Sequence, residues 1–296
     1  MAKKSRKPNQ SLQIPKVILI AAKFLSLIST NLTVLFAARL FTSPIKHRIP
    51  KREHDMDRES RKESLLIPAI KKNIVVYHFG ESQKKVLLVH GWSGRGTQLV
   101  KFADELRKLG FSTISFDAPA HGKSLGKTTL LPEFIETVLE LEKQFGPFES
   151  AIGHSLGGMA LLNAAKQGLR IKNLSIIGSA DIIEDIMDDF VKKLQLDPKI
   201  SNLLRLHFEK QSTQSMHSFS SSVVAKDVAI PVLIVHDQND PEVPVGCAIH
   251  IHESLADSKL LITKNLGHRK ILGDNSVIHT VTDFIKPKIT ANALSN

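Results

Sequence analysis

From residue 64 onward, short apolar runs alternate with amphipathic segments of helical length. The run VLLVH at 86–90 is apolar up to its last residue, as expected for a strand buried on both faces of a parallel sheet. Runs of five or six residues at 111–116, 174–178 and 232–236 are predicted to be further strands, with segments of helical periodicity between them. The alternation predicts βαβ units and a mostly parallel sheet that is covered by helices on both faces.

The remaining segments extend this prediction along the chain. Strands are also predicted at 65–70, 73–79, 149–153 and 259–263, the first two of them paired across a turn at Lys71-Lys72. Helices are predicted at 97–109, 132–145, 156–167, 182–194, 201–210, 245–255 and 277–285.

One stretch interrupts the alternation. Residues 181–227 contain two predicted helices and a Ser-rich run, but no convincing strand. An excursion of this length after a strand is suited to a lid over the crevice where open α/β sheets bind ligands, and a purely decorative insertion is the alternative. We therefore expect one domain of residues 64–180 and 228–296, with a helical lid at 181–227.

The N-terminal region 1–63 has a different character. Residues 17–41 read VILIAAKFLSLISTNLTVLFAARLF, but Lys23 and Arg39 leave only 15 uncharged residues between them. Polar residues recur at helical spacing within it, namely Lys23, Ser26, Thr30 and Thr33. This pattern predicts an amphipathic helix that lies on an anionic membrane or packs on its own domain, in preference to a membrane span or a secretory signal. Residues 42–64 are expected to form a linker or a helical approach to the catalytic domain.

The charge of the chain is concentrated in the same region. Residues 1–72 carry 16 Lys and Arg against 5 Asp and Glu, whereas residues 73–296 carry 24 of each. The net charge of +11 therefore lies in the N-terminal part of the chain. This distribution favours an appended N-terminal leader, which either binds a surface or is solvated, over a basic catalytic domain. The single cysteine, Cys247, excludes an internal disulfide.

A serine flanked by glycines lies between a predicted strand and a predicted helix. Residues 153–157 read Gly-His-Ser-Leu-Gly, a G-x-S-x-G pattern between the elements 149–153 and 156–167. Such a turn projects the serine hydroxyl above the sheet, and glycines prevent collisions of side chains with the neighbouring backbone. The pattern predicts that Ser155 is a nucleophile, with the amino end of a helix beside the developing oxyanion.

The motifs around this turn resemble those of the α/β-hydrolase family, in consecutive order. They are HGW at 90–92, DAPAHGKS at 117–124, GHSLGG at 153–158, HDQNDPEVP at 236–244 and GHR at 267–269. The resemblance covers residues 64–288 and is strongest to bacterial lysophospholipase- and esterase-like members. It implies an α/β-hydrolase fold with a mostly parallel sheet of about eight strands, helices on both faces and a small helical lid.

The resemblance also implies roles for individual residues. Ser155 would be the nucleophile, His268 its base and Asp240 the acid that orients the imidazole, in the chain order of this family. The backbone N–H groups of Trp92 and Leu156 would form the oxyanion hole.

Several neighbouring residues compete for these roles. Asp237 and Asp181 are the alternatives to Asp240, and are otherwise expected to order loops or cap helices. His154 is expected to be a packing residue and His121 to anchor loops. Asp117 is expected to fix its own loop by bonds from its side chain to the backbone.

The resemblance implies hydrolysis of a carboxylic ester or related acyl substrate through an acyl-enzyme. Acyl transfer, thioester hydrolysis and a non-catalytic binding protein are the alternatives. We expect a small-molecule acyl or ester substrate, peripheral contact with an anionic membrane through residues 1–41, and no nucleic-acid partner. No metal site or organic cofactor is expected. The expected location is the cytoplasm, at the inner face of the membrane.

Overall fold

The chain is divided into two compact units. Among the described residues, the helical unit consists of 14–43, 182–212 and 214–219, and the sheet unit consists of 44–181 and 220–286. The predicted insert 181–227 is thus split, because most of it clusters with the N-terminal helices and its last residues cluster with the sheet. Its role as a lid stays a prediction.

The computed structural model describes residues 14–212 and 214–286. The basic residues at the start of the leader lie outside the described residues: Lys3, Lys4, Arg6 and Lys7. No helix in the described ranges has the length and apolar character needed to cross a membrane.

Eight strands form a single sheet. In chain order they are β1 Arg61–Ile67, β2 Lys72–Phe79, β3 Lys85–Val89, β4 Ser112–Asp117, β5 Ser150–His154, β6 Leu174–Ile177, β7 Val232–Asp237 and β8 Ser258–Thr263. The spatial order is β1-β2-β4-β3-β5-β6-β7-β8. The pairs β1–β2 and β2–β4 are antiparallel and the others are parallel. The predicted mostly parallel sheet of about eight strands is confirmed.

Twelve α-helices lie in the described part of the chain. They are α1 Lys16–Ile28, α2 Thr30–Phe41, α3 His54–Glu59, α4 Val100–Lys108, α5 Leu131–Phe145, α6 Leu156–Lys166, α7 Ile183–Lys193, α8 Lys199–Glu209, α9 Ser221–Ala225, α10 Val245–Ser254, α11 Gly267–Lys270 and α12 Asn275–Ile285. Every helix predicted for the sheet unit is present, with its ends shifted by a few residues.

Both faces of the sheet are covered. On one face, Leu88 and Val235 belong to a buried cluster that includes Phe102 of α4 and Val281 of α12. Helices α5 and α6 pack together, and α6 also contacts β5 and β6. The continuous apolar strands follow from this double coverage, because a strand buried on both faces has no solvent-facing position for a polar side chain.

The N-terminal hydrophobic segment differs from the single helix predicted for it. Ser29 is extended, with φ −159° and ψ 126°, and separates α1 from α2. Its hydroxyl oxygen accepts a hydrogen bond from Leu32 N at 3.4 Å, which caps α2. A serine that caps the second helix thus ends the first, and the two helices pack on each other.

The region predicted to be a linker or a helical approach contains a short helix and a buried carboxylate. Residues 44–60 belong to the sheet unit and contain α3. The side chain of Glu53 is fully buried there and accepts hydrogen bonds from Arg95 and Thr97, each at 2.8 Å. A buried carboxylate needs such partners, so this segment is attached firmly to the loop that follows β3.

Candidate active site

Ser155 occupies the sharp turn between β5 and α6. Its φ of 53° and ψ of −121° are unusual for a residue with a side chain, and strain of this kind accumulates at functional positions. The Ser155 amide donates a hydrogen bond to Ile177 O at 2.9 Å, which ties the turn to the end of β6. The predicted strand–serine–helix arrangement is therefore present.

Glycines permit this turn because the backbone passes close to itself. A Cβ added to Gly153 would lie 2.6 Å from the carbonyl oxygen of Gly157, and one added to Gly157 would collide with the carbonyl oxygen of Val89. A Cβ on Gly91 would lie 3.0 Å from that of Ser155. The loop after β3 therefore lies directly against Ser155. Glycine is needed at these positions because a side chain would collide with the neighbouring backbone or with Ser155.

Asp240 and His268 are in direct contact. His268 Nδ1 lies 2.7 Å from Asp240 Oδ2, and the two side chains are only 6% and 1% exposed. Because a carboxylate only accepts, Nδ1 carries the proton and Nε2 keeps a lone pair. Asp240 Oδ1 accepts from the amides of Glu242 and Val243, at 2.8 and 3.0 Å. The structure thus joins two of the predicted residues in the arrangement that prepares a histidine as a base.

The ionisation of Asp240 fits this arrangement. Burial alone would raise the pKa of its carboxyl, but the hydrogen bond and charge of His268, together with the two amides, hold that pKa below its ordinary value. The carboxylate therefore stays ionised and continues to orient the imidazole.

The contact between the serine and the histidine is less direct. In the described residues, no hydrogen bond joins the Ser155 hydroxyl to the His268 ring. They are instead linked through the end of β6, since Ser155 N is bonded to Ile177 and the His268 ring lies 3.3 Å from the position of a Cβ on Gly178. The three predicted residues thus lie at the same edge of the sheet, with one pair bonded.

His154 makes a contact that sequence reasoning missed. It was expected only to pack, yet its Nε2–H donates to the backbone oxygen of His268 at 3.0 Å. Burial, helped by the nearby His268, lowers the pKa of His154 to about 3, so the ring is neutral. The residue before the serine therefore fixes the backbone of the histidine, 114 residues away in the chain.

The two alternative acids serve other loops. Asp237 Oδ2 accepts from Thr263 Oγ1 at 2.8 Å and from Leu266 N at 3.0 Å, which orders the loop leading to His268. Asp181 accepts from Ser222 N at 2.7 Å and is paired with His250. Of the three aspartates, Asp240 is the one that the structure bonds to His268.

The predicted oxyanion donors lie beside the serine. Leu156 N is the first amide of α6, and Trp92 follows the glycine that packs against Ser155. Within the described residues, neither amide donates to a protein acceptor. The pairing of these two amides as an oxyanion hole stays a prediction.

Two neutral histidines hold the loop that carries Trp92. His90 Nδ1–H donates to Gly91 O at 2.7 Å, and its Nε2 accepts from Ala118 N at 3.0 Å. His121 Nε2 accepts from Ser93 N at 3.0 Å, which confirms that His121 anchors loops. Burial lowers the pKa of His90 to about 4 and that of His121 to about 3. Protonation of either ring would remove an acceptor from this network.

Asp117 has the structural role expected of it. Its carboxylate accepts from Gly96 N and Lys123 N, both at 2.7 Å, and from Tyr77 Oη at 2.9 Å. These bonds join the loop after β3 to the loop after β4. The role of Asp117 was predictable from the sequence. That of Glu53, which supports the same loop, was not, because Glu53 lies in a charged stretch that is typical of a solvent-exposed segment.

No group of three or more His, Cys, Asp or Glu side chains suited to a metal ion occurs in residues 14–212 and 214–286.

Two family models match the chain from residue 86 onward. Residues 86–205 match the profile described as the alpha/beta hydrolase family, and residues 209–291 match that of TAP-like proteins. No curated protein matches the chain.

Solved structures share the same architecture. A putative lipase from Acinetobacter baumannii AYE is 20% identical, with a TM-score of 0.59, over 81% of this chain and 97% of that one. An esterase from Exiguobacterium antarcticum is 18% identical, with a TM-score of 0.60, over 77% and 100%. A membrane phospholipase A described as a bacterial virulence factor is 16% identical, with a TM-score of 0.60, over 79% and 88%. Likeness at these identities establishes the fold.

Proposed function

Since the chain belongs to the α/β-hydrolase family, we propose that it is a serine hydrolase that cleaves a carboxylic ester through an acyl-enzyme on Ser155. The observation that carries the proposal is the buried hydrogen bond between Asp240 and His268, at the edge of the sheet where Ser155 projects from a strained turn. A histidine held in this tautomer has the free Nε2 lone pair that a serine nucleophile needs.

In the first half of the reaction, His268 Nε2 takes the proton of the Ser155 hydroxyl as the oxygen attacks the acyl carbonyl. The two groups come into contact through side-chain rotation, since catalytic hydrogen bonds are often long or misaligned before the substrate binds. Asp240 keeps the ring oriented and stabilises its charged form. His268 then protonates the leaving alcohol, which departs and leaves the acyl group on Ser155.

The amides of Trp92 and Leu156 stabilise the oxyanion of the tetrahedral intermediate. They act as a pair because Gly91 packs against Ser155 and so places the loop after β3 beside the start of α6. In the second half, His268 activates a water that attacks the acyl-enzyme, and the acid product leaves.

A carboxylic ester is the substrate class that we favour over a thioester or an acyl acceptor other than water. The solved structures of the same fold include proteins named as a lipase, an esterase and a phospholipase. The alternatives require the same nucleophile and differ in the leaving group or the acceptor, so they leave the assigned residues unchanged.

We include contact of residues 1–41 with an anionic membrane in the proposal. Residues 1–52 contain 11 Lys and Arg and no Asp or Glu, so this region carries a charge equal to the net charge of the whole chain. A hydrolase that is held at such a surface would meet ester substrates of lipid character.

Hydrolysis of p-nitrophenyl esters of increasing chain length tests the proposal. We expect turnover by the wild type and a loss of at least about 10⁴-fold in kcat for Ser155→Ala. Ser179→Ala, which removes a buried hydroxyl near α6, should keep most of the activity. Equal rates for wild type and Ser155→Ala would overturn Ser155 as the nucleophile. No turnover of any ester would favour a non-catalytic binding protein instead.

A further inference from the structure

Helix α1 presents a continuous apolar face to solvent. Its large side chains Val17, Ile20, Phe24 and Leu27 are 71%, 69%, 62% and 80% exposed. Their spacing of three and four residues places them along one side of the helix, and together they span about 80° of its circumference. Single exposed hydrophobic residues are ordinary, but a contiguous ridge of this kind marks a surface that meets another apolar phase.

The ridge belongs to a helical unit whose other side chains include a packed, buried set. Ala22, on the opposite side of α1, is fully buried. In α2, Val34 and Ala37 are buried, and the Phe41 ring makes an edge contact with Phe190 of α7 at 5.1 Å between centroids. The exposed ridge is therefore one face of an ordered helical unit. It is exposed to solvent, whereas the opposite face is buried by packing.

Charge indicates what covers this ridge. Lys16 and Lys23 are exposed, and their positions on the helix place both along one border of the ridge. The first acidic residue of the chain is Glu53, far beyond both helices. A second copy of the chain would bring the same positive charge to the contact, whereas anionic lipid headgroups would complement it.

We propose that α1 lies in the plane of an anionic lipid surface, with Val17, Ile20, Phe24 and Leu27 inserted below the headgroups and Lys16 and Lys23 in contact with them. Lysine stems are long enough to follow the apolar face while their ammonium groups remain at the headgroup level. The inference rests on the membrane contact in the proposed function and specifies the surface that makes it.

Vesicle flotation of the full chain tests the surface. The wild type should float with vesicles of phosphatidylcholine and phosphatidylglycerol, and should float at least about tenfold less with pure phosphatidylcholine or in high salt. I20Q/F24Q should lower the partition coefficient at least about tenfold, and K16Q/K23Q should lower it in low salt only. L66Q, at a half-exposed leucine in β1, is the matched control and should bind like the wild type.

The outcomes separate the surface from the rest of the proposal. Equal flotation of I20Q/F24Q and wild type would overturn the assignment of the ridge while leaving the leader a membrane contact. Failure of the wild type to float would overturn both. A wild-type dimer in sedimentation velocity that dissociates in I20Q/F24Q, without flotation, would make a second copy the occupant. Ester hydrolysis by the wild type and by each variant is measured in a separate assay. A wild type that floats but does not hydrolyse esters would overturn the proposed chemistry of Ser155 and leave the proposed membrane surface intact.

Discussion

At the carboxyl ends of the strands, His90, Asp117 and His154 are at most 2% exposed, whereas along α1 Val17 and Leu27 are more than two-thirds exposed. Each region reverses the usual partition of side chains between core and solvent. The buried polar groups are stable because they are hydrogen-bonded to loops that surround Ser155, and such bonds are costly to remove. The exposed apolar groups have no such compensation within the described chain. One region therefore has the buried hydrogen bonds that the proposed chemistry needs, and the other has the exposed face that is proposed to meet lipid.

The largest effect is expected when the acid beside His268 is neutralised. Asp240→Asn should lower kcat about 10⁴-fold, because an amide no longer fixes the tautomer that leaves Nε2 unprotonated. Steady-state kinetics on an ester substrate measure this change.

Asp237→Asn is the matched control, three residues earlier in the chain. It loses bonds to Leu266 and Thr263, so its main effect should be a lower thermal midpoint. If the two variants lost activity equally, the distinction between the two aspartates would be wrong.

Acid should destabilise the sheet unit before it affects the exposed helix face. His90, His121 and His154 have pKa values lowered to about 4, 3 and 3, so the native state remains neutral at positions where the unfolded chain binds protons below pH 6.5. The contribution of these neutral rings to the free energy of unfolding is fully present above pH 6.5. It falls as the pH is lowered towards 3, by up to about 1.4 kcal/mol per pH unit for each histidine.

Urea unfolding at pH 7.5, 6.5, 5.5 and 4.5 measures this slope. His121→Gln keeps an acceptor for Ser93 N and removes one titrating group, so its slope should be shallower. A free energy of unfolding that stays constant between pH 6.5 and 4.5 would show that these rings are not held neutral.

A smaller effect is expected from the histidine next to the nucleophile. His154→Phe removes the donor to His268 O, and the displaced imidazole should cost about tenfold to hundredfold in kcat with little change in KM. His154→Gln retains a donor at the same reach and should recover part of the rate. Similar kcat values for His154→Phe and wild type would reduce His154 to a packing role.

The smallest effect is expected on the stability of the helical unit. I20Q/F24Q should change the free energy of unfolding by less than about 0.5 kcal/mol, because both side chains already contact water. Val34→Gln, at a buried position of α2, should cost about 2 kcal/mol or more. Thermal or urea unfolding measures both changes. A large loss of stability in I20Q/F24Q would mean that the side chains of the ridge are buried within the fold.

The fold was largely predictable because its strands are buried on both faces. The runs at 86–90 and 232–236 could hardly form anything else between helical segments, and the observed strands differ from them by one residue. Ser29 was harder to interpret, because a serine within an apolar helix pattern is tolerated unless it caps a second helix. The order in residues 44–60 depends on Glu53 meeting Arg95, a pairing that local sequence does not reveal.

The site was predictable where the chemistry needs a fixed local pattern. The glycines around Ser155 are required by backbone contacts within a few residues, and the family resemblance supplied Asp240 and His268. The hydrogen bond from His154 to the backbone of His268 joins residues far apart in the chain, so no local sequence pattern predicts it. The predicted contact of His268 with the Ser155 hydroxyl stays a prediction.

The most direct test of the central claim is covalent labelling of the full chain by a fluorophosphonate, with the modified peptide identified by mass spectrometry. We expect one label per chain on Ser155, no label in Ser155→Ala, and much slower labelling in Asp240→Asn than in Asp237→Asn. A wild-type chain that remains unlabelled, or that carries the label at a residue other than Ser155, would contradict it.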